Sequence, residues 1–139
     1  MLKASAVTVA IGILFSVIAG CGGSQSKSSV TKAEFLRQAN SICAERRVER
    51  RKAITAAARL QPSEAEMKKI IDEKSIPPYR EMTKEISQLA RPKGDEEKLA
   101  TLVSSMEKAA DEAESNLASA AIVKANEEAT RYGLAECKF

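Results

Sequence analysis

Of the 47 apolar residues that follow residue 20, nineteen are alanine, and only Phe35, Tyr79, Tyr132 and Phe139 are aromatic. A sheet needs β-branched and aromatic side chains to cover its pleated faces, whereas alanine loses no side-chain freedom in a helix. Alanine also lets helix backbones approach closely. A chain of this kind is all-α. Its 139 residues suffice for one hydrophobic core and not for two.

Helix signals punctuate the chain in order. Thr31-Lys32-Ala33-Glu34 has the spacing of a capping box, and Val30 stands where it can staple onto Phe35. The first helix should run to about Leu60, where Gln61-Pro62-Ser63 breaks it. Ser63 and Glu66 form a second capping box, after which Met67, Ile70, Ile71, Pro78, Met82, Ile86 and Leu89 share a face. Because Pro78 keeps that phase, the pattern predicts one helix over 63–90 kinked at Pro77-Pro78, with two helices as the alternative. Arg91-Pro92-Lys93-Gly94 is a turn, and Asp95, Glu96 and Glu97 suit the positive end of the next helix. Leu99, Val103, Met106, Ala110, Ala113, Leu117 and Ala120 then make a narrow bundle seam. Ile122, Ala125, Ala129 and Tyr132 continue the stripe to Gly133, a C′ glycine with Leu134 behind it.

The first twenty residues are of another kind. Met1-Leu2-Lys3 is a short positive start, and Ala4 to Ala19 is uncharged and almost wholly apolar. This is the layout of a secretory signal peptide, too short for a comfortable transmembrane helix. It closes on Val17-Ile18-Ala19-Gly20-Cys21, which resembles the lipobox of bacterial lipoproteins. The resemblance implies cleavage before Cys21, a diacylglyceryl group on its thiol and acylation of the new amino group. Two or three acyl chains would hold the protein stably on the extracytoplasmic face of the membrane. Residues 21–30 carry the lipid and a Gly/Ser-rich tether spanning about 16 Å, and 31–139 form the helical domain.

With Cys21 committed to lipid, Cys43 and Cys137 are the remaining pair, in a compartment that permits disulfides. A bond between them constrains topology. If residues 95–132 were one straight helix, its end would stand about 55 Å from its start. Cys43 lies only about 18 Å up the first helix, so Cys137 could not reach it across the roughly 7 Å that a bridged pair allows. The chain is therefore expected to turn back near Asn116 to Ala121, although no Gly or Pro marks a break there. The expected architecture is an antiparallel up-down-up-down bundle with one disulfide.

One feature of the first helix disagrees with a core face. At 100° per residue, Arg46 and Arg50 fall on the same side as Phe35, Ala39, Ile42 and Cys43, with Arg47 and Arg51 at its edge. Guanidinium groups so placed either pair with carboxylates and snorkel outward, or form an anion-binding patch. Rise arithmetic puts Asp72 and Glu114 at about their height as partners.

The chain contains no histidine, which removes the usual general base and the commonest metal ligand. It also lacks a Gly-rich phosphate loop, a GxSxG elbow, an ExxH pair and a CxxC motif. No catalytic residue, metal or cofactor is expected. A formal net charge of +3 is too small to point to nucleic acid. Glu34-Phe35, Ala39-Asn40-Ser41-Ile42-Cys43, Pro77-Pro78, Pro92 with Gly94-Asp95-Glu96, and Tyr132-Gly133-Leu134-Ala135-Glu136-Cys137 together resemble small actinobacterial lipoproteins and secreted helical proteins. That resemblance spans most of the chain after the signal. It implies a cell-surface location and a paired Cys43 and Cys137, and no activity. The function expected is that of a non-enzymatic envelope lipoprotein that binds a partner protein or envelope component. The alternative is a carrier of a small anionic or lipid-like ligand, using Arg46 and Arg50. Intact mass spectrometry of the protein from its native membrane should show a chain beginning at acylated Cys21 and lacking two hydrogens. An unlipidated product would refute the anchor.

Overall fold

The computed structural model describes residues 30–139. The signal segment and Cys21 lie outside the described residues. Five α-helices follow one another: α1 (Lys32–Ala58), α2 (Glu64–Lys74), α3 (Ile76–Gln88), α4 (Glu96–Ala113) and α5 (Ala120–Tyr132), then a 3-10 turn at Ala135–Cys137. The protein is an all-α bundle with one disulfide. No helix among the described residues is long and apolar enough to cross a membrane.

The helix starts are those the capping residues dictate. Thr31 Oγ1 accepts from the Glu34 N–H at 3.1 Å and opens α1. At α2 the box is reciprocal: Ser63 Oγ accepts from the Glu66 N–H, and Glu66 Oε2 accepts from the Ser63 N–H at 2.8 Å. Between α2 and α3 the chain departs from the single kinked helix. Pro77 and Pro78 have no N–H to give the carbonyls of Glu73 and Lys74, and their rings crowd those carbonyls. The helix stops at Lys74, and α3 begins at Ile76 with both prolines in its first turn, where missing donors cost nothing. Ile76, Tyr79, Met82, Thr83 and Ile86 enter the core, whereas α2 has no fully buried residue.

The turn between α4 and α5 spans residues 114–119, close to the place that a Cys43–Cys137 bond requires. Side chains make it without Gly or Pro. Asn116 Oδ1 accepts from the Ala118 N–H at 2.9 Å, and Ser119 Oγ caps α5 by accepting from the Ile122 N–H. Leu117 and Ala120, expected on the seam, are exposed because the seam ends with the helix at Ala113.

Contacts between neighbouring helices run in opposite order along the two chains. Arg46 of α1 meets Glu85 of α3, and Arg50, further along α1, meets Ser75 just before α3. Arg80, early in α3, pairs with Asp111 and Glu114 at the end of α4. Tyr132, at the end of α5, donates to Asp95 Oδ2, just before α4, at 2.9 Å. That bond, with Lys98 and Lys32 nearby, holds the Asp95 carboxyl below its ordinary pKa.

The core they enclose is small-grained: seven of its twenty buried hydrophobic residues are alanines, including Ala109, Ala110 and Ala113 of α4 and Ala125 and Ala129 of α5. Packing of α4 on α5 is the most extensive helix contact in the molecule.

After α5 the chain turns sharply. Gly133 sits at φ 105°, a left-handed conformation that glycine adopts without penalty. Its N–H reaches the Ala129 and Thr130 carbonyls, and the Leu134 N–H reaches the Ala129 carbonyl at 2.8 Å. A Cβ at Gly133 would also stand 3.2 Å from Leu36 Cδ1. Leu134 is fully buried, and Cys137 is joined to Cys43 with 4.8 Å between their Cα atoms. The bond links residues 94 apart, and in the chain-entropy model it stabilises the fold by up to about 4.5 kcal/mol. Replacing both cysteines by Ala should lower the free energy of unfolding by about 3–5 kcal/mol, measured by urea titration. A change below 1 kcal/mol would mean that the other contacts hold the segment alone.

Candidate functional site

The four arginines singled out in the sequence do different jobs. Arg46, half-buried, donates to Glu85 of α3 and to Glu49 one turn on, and these carboxylates raise its pKa. Arg47 pairs with Glu136 in the 3-10 turn at 2.5 Å. Arg51 is exposed and in no ion pair among the described residues. Asp72 and Glu114, the expected partners, are engaged elsewhere, with Lys68 and Arg80. With the helix broken at Ser75, it is α3 that lies along the middle of α1 and supplies the partners of Arg46 and, from Ser75, of Arg50.

Arg50 is the unusual member. Its residue is only 9% exposed, yet no carboxylate touches it. The guanidinium carbon lies 5.2 Å from the centre of the Tyr79 ring and 4.7 Å from that of Phe139. Its Nε donates to Ser75 Oγ at 3.1 Å, and its Nη1 donates to the Lys138 carbonyl at 3.2 Å. Burial lowers its pKa, but a guanidinium in a protein keeps its proton. Aromatic faces and carbonyl oxygens take the place of a counter-ion, and such a desolvated cation–π contact stabilises by about 2 kcal/mol.

Asn40, Cys43, Arg47 and Arg50 form one row on α1, at steps of three and four, and the row holds the segment 133–139. Asn40 donates to the Gly133 carbonyl at 3.0 Å and accepts from the Glu136 N–H. Cys43 bonds Cys137. Arg47 takes Glu136, and Arg50 takes Lys138 and Phe139. From α5, Asn126 Oδ1 accepts from the Phe139 N–H at 2.8 Å. Arg47 and Arg50 therefore help close the bundle, Arg50 from a buried position and Arg47 from a partly exposed one. The sequence held a signal for this: Arg50 lies two turns beyond Cys43 on one face, and Phe139 lies two residues beyond Cys137.

A second feature was not foreseen. Between α2 and the turn after α4 lies an open groove of about 740 Å³. Met67, Ile71, Ala113 and Leu117 line its apolar part, and Lys68 and Asp72 stand among them. Leu117 is 44% exposed. Lys68 Nζ bridges Asp72 Oδ2 at 2.6 Å and the Glu114 carbonyl at 2.7 Å. The other Asp72 oxygen, Oδ1, is buried and accepts no hydrogen bond from the described residues. The groove thus offers apolar surface beside the Lys68–Asp72 pair.

Family models, curated proteins and solved structures contain no match to this chain.

Beside Arg50, the Tyr79 ring is fully buried and its hydroxyl reaches no partner among the described residues. Burial pushes its pKa up to about 12, with the Arg50 cation acting in the opposite sense. Tyr79→Phe removes an unsatisfied hydroxyl, so unfolding free energy at pH 7 should stay equal or rise by about 1 kcal/mol. The folded pKa exceeds the unfolded value of 10. The neutral hydroxyl therefore favours the fold fully below pH 10, and above it stability falls by about 1.4 kcal/mol per pH unit up to the folded pKa. Denaturant titrations from pH 7 to pH 12 should show this loss in the wild type, and a smaller one in Tyr79→Phe. Identical alkaline slopes would refute the assignment.

Proposed function

We propose that this chain is a lipid-anchored protein of the bacterial cell envelope, without a catalytic role, that binds a partner protein or another envelope component on its surface. The observation that carries the binding role is the groove at Met67, Ile71 and Leu117, apolar and open. A partner's side chains can fill such a surface. The anchor rests on the signal-like segment and the Val17–Cys21 lipobox pattern. The non-catalytic reading rests on the absence of histidine and of catalytic motifs from the sequence. Carriage of an anion at Arg46 and Arg50 has less support, because Glu85, Glu49, Ser75 and Lys138 already take their donors.

A photo-crosslinking residue at position 117, expressed in the native envelope, should yield a discrete adduct. Met67→Lys should abolish that adduct, and a crosslinker at exposed Ser104 on α4 should not produce it. The same products from positions 117 and 104 would overturn the groove as the binding surface.

A further inference from the structure

The solvent face of α1 carries a row that neither the core nor the groove uses. Arg37, Ser41, Ala44, Val48, Arg51 and Thr55 follow at alternating steps of four and three, Arg59 stands four further on at the C-cap, and Lys52 lies alongside. Steps of this kind keep residues on one line along a helix. Arg37, Arg51, Lys52 and Arg59 are all exposed, and none is in an ion pair among the described residues. From Arg37 to Arg59 the line is about 33 Å long. Val48, 51% exposed, lies in its middle, and Leu60, 82% exposed, at its end. The acidic residues of the helix, Glu34, Glu45 and Glu49, fall at its margins, and Glu49 is occupied by Arg46.

Charge is also segregated across the bundle. Helix α1 carries seven cations against three carboxylates, and α4 carries five carboxylates against two cations. The two helices make no backbone contact, since α3 separates them on one side and α5 with the 3-10 turn on the other. The net charge of α1 is therefore positive and that of α4 negative.

We propose that the solvent face of α1 docks on an anionic lipid bilayer, with Arg37, Arg51, Lys52 and Arg59 against the headgroups and Val48 and Leu60 reaching toward the acyl boundary. This rests on the envelope-anchored reading above, in which the lipid at Cys21 joins the domain through residues leading directly into α1. Only eight residues separate Cys21 from Val30, so a lipid on Cys21 would hold α1 near the surface, and the charge difference selects which side faces it. Each cation near an anionic leaflet strengthens the attraction roughly fivefold, and the effect decays within a Debye length. A bilayer fits a straight row better than a compact anion does, because the four cations are spread along the helix and do not converge.

The test uses the acylated protein in vesicles of phosphatidylcholine with or without phosphatidylglycerol, and with headgroup-spin-labelled lipid as quencher. A dye is placed at Thr55→Cys on α1 or at Ser104→Cys on α4; the native disulfide is buried and leaves the new thiol to react. The Thr55 dye should be quenched in anionic vesicles at low salt, and much less in neutral vesicles or at high salt. The Ser104 dye should stay bright throughout. Arg51→Glu with Lys52→Glu and Arg59→Glu should weaken docking more than about a hundredfold, with an unchanged melting curve. Equal quenching at both positions, or quenching insensitive to lipid charge, would overturn the proposal. So would binding of soluble polyglutamate without any response to anionic vesicles, which would assign the face to an acidic macromolecule. The intact mass of each sample reports the acyl chains on Cys21. A missing anchor is thereby distinguished from failed docking, and protein without acyl chains is scored by adding it to preformed anionic vesicles.

Discussion

The bond between Cys43 and Cys137 is the constraint on which the arrangement depends. It brings the segment after α5 back against the middle of α1, so the last element of the fold is joined to the first. A row of polar and charged side chains on α1 makes that closure specific. Asn40 supplies the amide pairing, Arg47 an ion pair and Arg50 a cation between two aromatic rings. A core in which alanines supply much of the buried surface gains little area per side chain, so a crosslink that restrains the unfolded chain contributes a large share of the stability.

Much of this was legible in the chain. Alanine content, two capping boxes, the Gly133 stop and the cysteine spacing sufficed for the helix class, most boundaries and a turn between Ala113 and Ala120 that no Gly or Pro announces. Local rules were enough there, because caps act within three residues. What escaped depends on phase and distance. The break at Ser75 separates α3 from α2, and Tyr79 and Thr83 enter the core beside the expected Met82 and Ile86, while Pro78 stays half-buried. The partners of Arg46 and Arg50 changed with it, because their identity depends on which segment lies beside α1. The groove depends on Leu117 leaving its seam, a tertiary outcome of where α4 ends.

Charge on α1 is thereby divided between two tasks. The inward arginines are consumed by the fold: Arg46 by Glu85, Arg47 by Glu136 and Arg50 by the rings of Tyr79 and Phe139. The outward ones, Arg37, Arg51 and Arg59, meet no carboxylate among the described residues. A basic run that looks uniform in sequence is thus divided between a row that closes the bundle and a neighbouring row that faces solvent. The apolar groove lies apart from both.

The hairpin of α4 and α5 has a consequence in time. Its two helices are joined by only six residues and share the most extensive contact in the molecule. Bringing them together closes a short loop, which costs little chain entropy and is fast. The meeting of α1 with the 133–139 segment closes a loop of nearly the whole domain. Of these two closures the hairpin's therefore costs the less chain entropy, and the one that Cys43 and Cys137 make costs the more.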